Sequence, residues 1–171
     1  MIRYFVPKNP KILFIGINPH HGSFKRGVPF SNNKMFWYLL SRSGLIKETE
    51  SEVRDDERLR KMYHNKFGRV YRFGLLNVVN RPSRDVSELR RGEEMEGRLQ
   101  ITSAIKHSKP KVVCFVGKVT FLKFRGSKDA VFGWQKRISG SKAYVMHFPI
   151  RGYAKTRIRE LRAVYRAANT P

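Results

Sequence analysis

Residues 11–40 read KILFIGINPHHGSFKRGVPFSNNKMFWYLL, and this segment is the strongest indication of the fold class. The apolar run from Ile12 to Ile15 is typical of a strand that is buried on both faces of a parallel sheet. The run ends at Gly16-Ile17-Asn18-Pro19, where glycine and proline force a tight exit. Ligands of open α/β sheets bind at the carboxyl ends of the strands, which is where Asn18 falls. Asn and Pro are also ordinary turn residues, and on this tetrapeptide alone a simple turn is the better interpretation.

The rest of the chain continues as alternating strands and helices. The patterns predict strands over residues 11–16, 75–79, 111–116 and 143–147, and helices over residues 33–43, 51–63, 92–107, 118–124 and 155–168. Such alternation is typical of a parallel sheet with helices on both faces. We therefore predict an α/β fold with one domain over residues 1–171, arranged as a three-layer sandwich around a mostly parallel four-stranded sheet.

The composition indicates a polyanionic partner. Lys and Arg number 36 against 13 Asp and Glu, which gives a net charge of +23 over 171 residues. Nucleic acid is favoured over a membrane surface, because the chain has no amphipathic anchor and no long apolar span. The net charge alone does not distinguish this interpretation from a protein that is basic because it is ribosome-associated or thermophilic.

The single cysteine, Cys114, lies within the apolar run of the third predicted strand. We expect it to be a small buried hydrophobe. One cysteine excludes an intrachain disulfide and a four-cysteine iron–sulfur cluster. The apolar stretch at the N-terminus is too short for a signal peptide, so we expect a cytoplasmic location, associated with the nucleoid in a prokaryote.

Motifs spaced along the chain resemble, in the same order, those of the uracil-DNA glycosylase superfamily. They are closest to its mismatch-specific uracil/thymine-DNA glycosylase branch, whose first motif reads GINPG. The matching segments here are Gly16 to Pro19, Gly27-Val28-Pro29-Phe30, Asn33 to Trp37, Gly74 to Pro82 and Pro110 to Gly117. The resemblance implies a uracil-DNA glycosylase-like domain and an enzyme that flips a base out of the duplex before cleaving its glycosidic bond.

The resemblance also implies roles for residues around the first strand. Asn18 matches the asparagine that orients the attacking water, and Gly16 and Ile17 would help to form the base pocket. Phe30 would stack on the flipped pyrimidine, although most phenylalanines in this chain belong to the core. Asn77 would read the base edge, since an amide offers both a donor and an acceptor. A buried strand-end amide satisfied by backbone is the alternative for Asn77.

His20 and His21 depart from the mismatch-specific branch. Pro19-His20-His21-Gly22 resembles the Pro-Tyr-His-Gly of the uracil-specific branch, in which the tyrosine excludes thymine. We hypothesise that His20 narrows the pocket toward uracil, with His21 beside it. No cysteine or carboxylate lies at ligand spacing beside them, so we predict no metal site.

The second family motif matches less well. Residues 147–154 read HFPIRGYA, and Phe148 separates His147 from the proline that follows it in the family. His147 could stabilise the departing base anion, and Arg151, Gly152 or Tyr153 would enter the duplex or contact its phosphates. Lys118, Lys155 and Arg159 are further candidates for DNA contacts.

The closing helix has two predicted faces. Basic residues spaced by three and four predict an exposed stripe of Lys155, Arg159, Arg162 and Arg166. The opposite face, predicted to lie against the core, carries Ile158, Leu161, Tyr165 and Ala168.

Taken together, these observations predict a monofunctional glycosylase that excises uracil from G·U mismatches, with other damaged bases as further candidate substrates. The alternatives are a glycosylase mainly for hypoxanthine, ethenocytosine or thymine, and a non-catalytic basic nucleic-acid-binding protein on the same scaffold. The expected partner is double-stranded DNA containing deaminated or mismatched bases, bound by a monomer that needs no cofactor and binds no membrane.

Overall fold

Five strands form one sheet in a computed structural model that describes residues 1–171. The strand order is β2-β1-β3-β5-β4. The first four of these are parallel to one another, and β4 pairs antiparallel with β5. The strands are β1 Ile12–Gly16, β2 Phe73–Asn77, β3 Val112–Val116, β4 Gly133–Ile138 and β5 Ser141–Met146.

Seven α-helices connect and cover the strands. They are α1 His21–Arg26, α2 Met35–Ser43, α3 Glu50–Arg54, α4 Asp56–Met62, α5 Glu94–Ser108, α6 Lys118–Arg125 and α7 Ala154–Asn169. A π-helical turn (Tyr63–Phe67) follows α4, and a 3₁₀ turn (Val86–Glu88) precedes α5. None of the helices combines the length and the apolar character that a membrane span requires.

The alternation of side chains along the buried strands produces two hydrophobic layers. Ile12 and Phe14 of β1 face a core shared with α2, α3, α4 and α7, while Leu13 and Ile15 face a core shared with α5 and α6. Strands buried on both faces read as continuous apolar runs, which is why β1 and β3 are recognisable from sequence. The predicted three-layer α/β architecture is therefore confirmed.

Cys114 is fully buried in β3, as predicted. Burial raises the pKa of its thiol above the ordinary range, which disfavours the reactive thiolate.

Four details of the prediction are wrong. The sheet has five strands rather than four, because β4 adds an antiparallel edge. The segment between the strand predicted over 11–16 and the helix predicted over 33–43, for which no helix was predicted, contains α1. The single helix predicted over 51–63 is two helices, since Asp55 ends α3 and caps α4 with its side chain. The second strand covers 73–77 rather than 75–79.

The closing helix follows its predicted pattern in part. Its basic stripe is exposed, and Leu161 and Ala168 are buried as expected. Ile158 and Tyr165 are only half-buried, whereas Arg157, Glu160 and Val164 are buried instead. Two ionisable side chains thus lie inside the molecule on α7.

Candidate active site

A cavity of about 710 Å³ lies at the carboxyl ends of the parallel strands. Nine of the residues predicted for the site line it: Ile17, Asn18, His20, Phe30, Asn77, Lys118, His147, Arg151 and Gly152. Five others do not line it: Gly16, His21, Tyr153, Lys155 and Arg159. Residues separated by more than 100 positions therefore meet at one edge of the sheet.

The side chain of Asn18 is held in a fixed orientation. Its Nδ2 donates to the Oγ of Ser83 at 2.7 Å and to the carbonyl of Pro19 at 3.2 Å. Ser83 Oγ uses its own proton to donate to the carbonyl of Asp85 at 2.8 Å, so it can only accept from Asn18. This chain of hydrogen bonds leaves the Asn18 Oδ1 as the acceptor that is free for a ligand.

Asn77, at the end of β2, is 5% exposed and forms part of the cavity wall. Its Nδ2 donates to the hydroxyl of Tyr4 at 2.6 Å, and burial raises the pKa of Tyr4, so this hydroxyl stays protonated. A Cβ on Gly16 would lie 2.4 Å from Asn77 Oδ1. Gly16 does not line the cavity itself, but its lack of a side chain lets Asn77 of the cavity wall approach β1.

Phe30 lines the cavity in an unusual backbone conformation, with φ of 55°. Its ring stacks on Phe36 with centroids 4.5 Å apart and an interplanar angle of 28°. The stack supports the ring from one side, as a wall for a flat ligand requires.

His20 has a structural contact in addition to its place in the cavity. Its Nδ1 accepts a hydrogen bond from the Gly22 N–H at 3.0 Å and so caps α1. The prediction that His21 lies in the base pocket is wrong, because His21 is the first residue of α1 and its side chain is exposed outside the cavity. The cap fixes the position of the His20 ring in the cavity wall.

His147 is held by a carboxylate that the sequence analysis did not identify. Glu160 of α7 accepts from the His147 backbone N–H at 3.0 Å and from its Nδ1 at 2.8 Å. The imidazole also stacks on Phe132, with ring centroids 3.5 Å apart, and the Lys118 ammonium lies 4.3 Å from the centre of the same Phe132 ring. With Nδ1 bound to Glu160, Nε2 is the nitrogen available to a ligand.

The segment between β5 and α7 presents an aromatic side chain to solvent. Tyr153 precedes α7 and is 86% exposed, while Ile150 on the same segment is 51% exposed. Lys155 and Arg159 are exposed on the first turns of α7. Ile150 lines the cavity, whereas Tyr153, Lys155 and Arg159 lie outside it.

Arg157 lies beneath this segment and is 3% exposed. Its Nε and Nη1 have no hydrogen-bond partner, and a Cβ on Gly152 would lie 3.8 Å from Nη1. Burial lowers the pKa of Arg157, and the nearby Glu160 opposes that change. The buried guanidinium adds positive charge directly behind Gly152.

Four residues of the site were missed by sequence reasoning: Tyr4, Ser83, Phe132 and Glu160. Ser83 directly follows the recognised Asn80-Arg81-Pro82 segment, so its proximity to the motif was a usable signal. The other three carry no local pattern, because each reaches the site from a separate part of the chain. No group of three or more His, Cys, Asp or Glu side chains is placed to hold a metal ion.

The fold and the cavity together define an α/β protein whose ligand site opens at the carboxyl ends of parallel strands, between two amides and an aromatic wall. Comparison with known families agrees with this description. The chain belongs to the Uracil DNA glycosylase superfamily, whose sequence profile matches residues 3–161. The resemblance inferred from the motifs is thereby confirmed.

One curated relative is a protein of Schizosaccharomyces pombe (strain 972 / ATCC 24843) described as a G/U mismatch-specific uracil DNA glycosylase. It is 26% identical to this chain over 141 residues, which cover 77% of this chain and 41% of the relative. The chain thus spans about two fifths of the length of that relative.

Proposed function

We propose that this chain is a monofunctional DNA glycosylase that removes uracil from G·U mismatches in double-stranded DNA. Membership of the Uracil DNA glycosylase superfamily supports the reaction class. The specificity named for the fission-yeast relative supports the substrate. The net charge of +23 is suited to a polyanionic partner.

The observation that carries the proposal is the orientation of Asn18. Ser83 and the Pro19 carbonyl occupy its Nδ2, which leaves Oδ1 to accept a hydrogen bond from a water molecule in the cavity. That water attacks the anomeric carbon as the base departs. An amide orients water but is a poor proton acceptor, so we expect slow turnover that depends mainly on stabilisation of the departing base.

The flipped base would lie between Phe30 and Asn77. The Phe30 ring, supported by Phe36, offers a stacking surface worth about 1–3 kcal/mol for a base. The amide of Asn77 offers an acceptor and a remaining N–H to the O4 and N3–H edge of uracil. The hydrogen bond from Asn77 Nδ2 to the Tyr4 hydroxyl fixes the orientation of the Asn77 amide.

His147 would act on the departing base. Since Nδ1 donates to Glu160, Nε2 can donate to the base anion only from the imidazolium form, and the Glu160 carboxylate stabilises that cation. Glu160 is therefore a positioning residue that acts through His147. The Lys118 ammonium beside the same Phe132 ring adds positive charge on this side of the cavity.

Tyr153 is the better candidate for the residue that enters the duplex where the base has left. Its side chain is almost fully exposed next to the cavity opening, and its ring can stack between neighbouring bases. Arg151 lines the cavity and would contact phosphate or the orphaned guanine. Tyr153→Ala should weaken flipping of a fluorescent base analogue more than Arg151→Ala does.

Formation of an abasic site in a G·U duplex tests the proposal directly. The wild-type protein should cleave the glycosidic bond with a chelator present, and Asn18→Ala should keep binding while losing at least about 100-fold in single-turnover rate. Asn65→Ala, at an exposed position in the π-helical turn, is the matched control and should be unaffected. Binding without any base release by the wild type would instead identify a non-catalytic DNA-binding protein.

A different base is the second candidate substrate, because the HFPIRGYA segment and His20 depart from the mismatch-specific pattern. If His20 narrows the pocket, uracil should leave G·U faster than thymine leaves G·T, and His20→Gly should reduce that difference. Equal rates for the two bases in the wild type would contradict the assignment of His20. Faster release of hypoxanthine or ethenocytosine than of uracil would reassign the substrate.

A further inference from the structure

A second cleft, of about 430 Å³, lies at the amino ends of the parallel strands, whereas the candidate active site lies at their carboxyl ends. We call this end of the sheet the cationic edge. Five cationic side chains line it: Lys106, Lys109, Lys111, Arg137 and Lys142. No Asp, Glu or aromatic side chain lines it. This cleft has no part in the reaction proposed above.

The sheet topology arranges cations along this edge. Arg72 and Lys11 directly precede β2 and β1, Lys111 directly precedes β3, and Lys142 is the second residue of β5. Arg137 lies near the end of β4, which is antiparallel and so brings its carboxyl end to the same edge. We call these five residues the cationic row. At about 4.8 Å between neighbouring strands, the row extends over about 19 Å.

No member of the cationic row pairs with a carboxylate. Arg72 donates to the carbonyls of Lys8 and Asn9, and Lys142 donates to the carbonyl of Ala167 at 3.0 Å. The Lys11 ammonium lies 5.3 Å from the centre of the Tyr165 ring. All these partners are neutral, so the positive charges stay uncompensated.

The distribution of acidic residues explains this excess. Eleven of the 13 Asp and Glu residues fall within residues 48–96, and the remaining two are Asp129 and Glu160. The segments that form the cationic edge contain almost no negative charge. The net charge of the protein is therefore unevenly distributed.

Stabilisation of helix ends accounts for only part of the pattern. Helices α5 and α7 end at this edge, and cations near a helix carboxyl end interact favourably with its last carbonyls. That effect explains Lys106 at the end of α5 and the bond from Lys142 to Ala167. It does not explain Lys111 or Arg137, which belong to strand ends and are exposed.

We propose that the cationic row binds the phosphate backbone of a second segment of duplex DNA, separate from the segment at the cavity. Proteins that hold single strands use aromatic stacking surfaces, and their absence from this cleft favours a duplex read by its phosphates alone. The five-residue strands, about 17 Å long, separate the two edges. Because DNA is stiff over such lengths, one short duplex cannot reach both. The inference does not depend on base excision.

The test is the number of undamaged 12-base-pair duplexes that one protein binds, measured by sedimentation. The test variant carries Lys111→Gln and Arg137→Gln in the cationic row, together with Lys106→Gln in the cleft that the row borders. The matched control carries Arg58→Gln, Arg60→Gln and Arg69→Gln. All six positions are exposed, and both variants lose three charges. Thermal unfolding verifies that each variant keeps the wild-type fold, and Lys111→Gln alone serves if the triple variant does not.

Wild type and control should bind two duplexes, and the test variant should bind one tightly and the second at least about tenfold more weakly. For binding of the second duplex, the slope of log K against log salt concentration should become smaller in magnitude by about 2 to 3. Each phosphate that the variant no longer neutralises contributes roughly 0.9 to this change. Uracil excision on a short duplex should change less than about twofold. One duplex bound by the wild type, equal weakening in the control, or tighter binding of a single-stranded RNA of the same length at this edge would overturn the proposal.

Discussion

Replacement of Glu160 by Gln changes the proton arrangement of His147 without changing the shape of the side chain. The Gln carbonyl can still accept the His147 backbone N–H, but its amide group then faces Nδ1 as a donor. The imidazole must accept at Nδ1, so its proton moves to Nε2 and the stabilising negative charge is lost. A neutral Nε2–H can still face the departing base in this variant, but the carboxylate that would support a positive charge there is gone.

The size of the effect follows from the hydrogen bond that the substitution removes. A hydrogen bond to a charged group contributes about 1.5–3 kcal/mol, and each 1.36 kcal/mol corresponds to tenfold in rate. We expect Glu160→Gln to slow single-turnover uracil excision by roughly 10- to 150-fold. Binding of undamaged duplex and the melting temperature should change little, because the substitution is nearly isosteric.

A double-mutant cycle separates positioning from general damage to the site. In a His147→Ala background, Glu160→Gln should have almost no further effect on the rate, since its action requires the imidazole. Glu96→Gln, at an exposed position on α5, is the matched control for loss of one carboxylate. An unchanged rate in Glu160→Gln, or an equal loss with and without His147, would refute the reasoning.

Two further predictions concern stability. In Gly97→Ala the new Cβ would lie 1.7 Å from the Val78 carbonyl oxygen. This overpacking should destabilise the fold by about 1–3 kcal/mol or more, which outweighs the gain of about 1 kcal/mol from the higher helix propensity of alanine. Its melting temperature should fall, whereas Leu99→Ala on the exposed face of the same helix should cost little. The hydrogen bond from Arg81, assisted by the Arg90 backbone N–H, lowers the pKa of Glu93 from 4.5 to about 2. The ionised Glu93 therefore stabilises the folded state above pH 4.5, and this stabilisation is lost as the pH falls toward 2. Glu93→Gln should therefore be less stable to urea by about 1 kcal/mol at pH 7, and a difference that persists at pH 2 would contradict this assignment.

Much of the fold was predictable because its central strands are buried on both faces. The continuous apolar runs of β1 and β3 gave both the strand positions and the parallel arrangement. The edge strand β4 was not predictable in the same way, because its sequence GWQKRI alternates between half-buried and exposed positions and carries two charges. Helix α1 was missed because it has six residues and a histidine side chain as its cap.

The residues of the candidate site that lie at or just after a predicted strand end could be predicted from the sequence. Those supplied by the last helix or by the segment before β4 could not. Asn18 lies two residues after β1 and Asn77 ends β2, so their position at the same end of the sheet followed from the parallel pairing of these strands. Glu160 was recognisable only as a residue of the last helix, and its contact with His147 depends on how α7 packs against β5. Phe132 precedes the strand that was missed, so its stack on His147 had no signal in the local sequence.

The left-handed backbone of Phe30 sets stability against activity at that position. A bulky L-residue in this region costs about 1–2 kcal/mol, which glycine would relieve. Loss of the half-buried ring would remove a stabilisation of similar size, about 1.5–3 kcal/mol for full burial. A library sorted by heat resistance alone would accordingly tolerate glycine at position 30, whereas one sorted by uracil release would discard it.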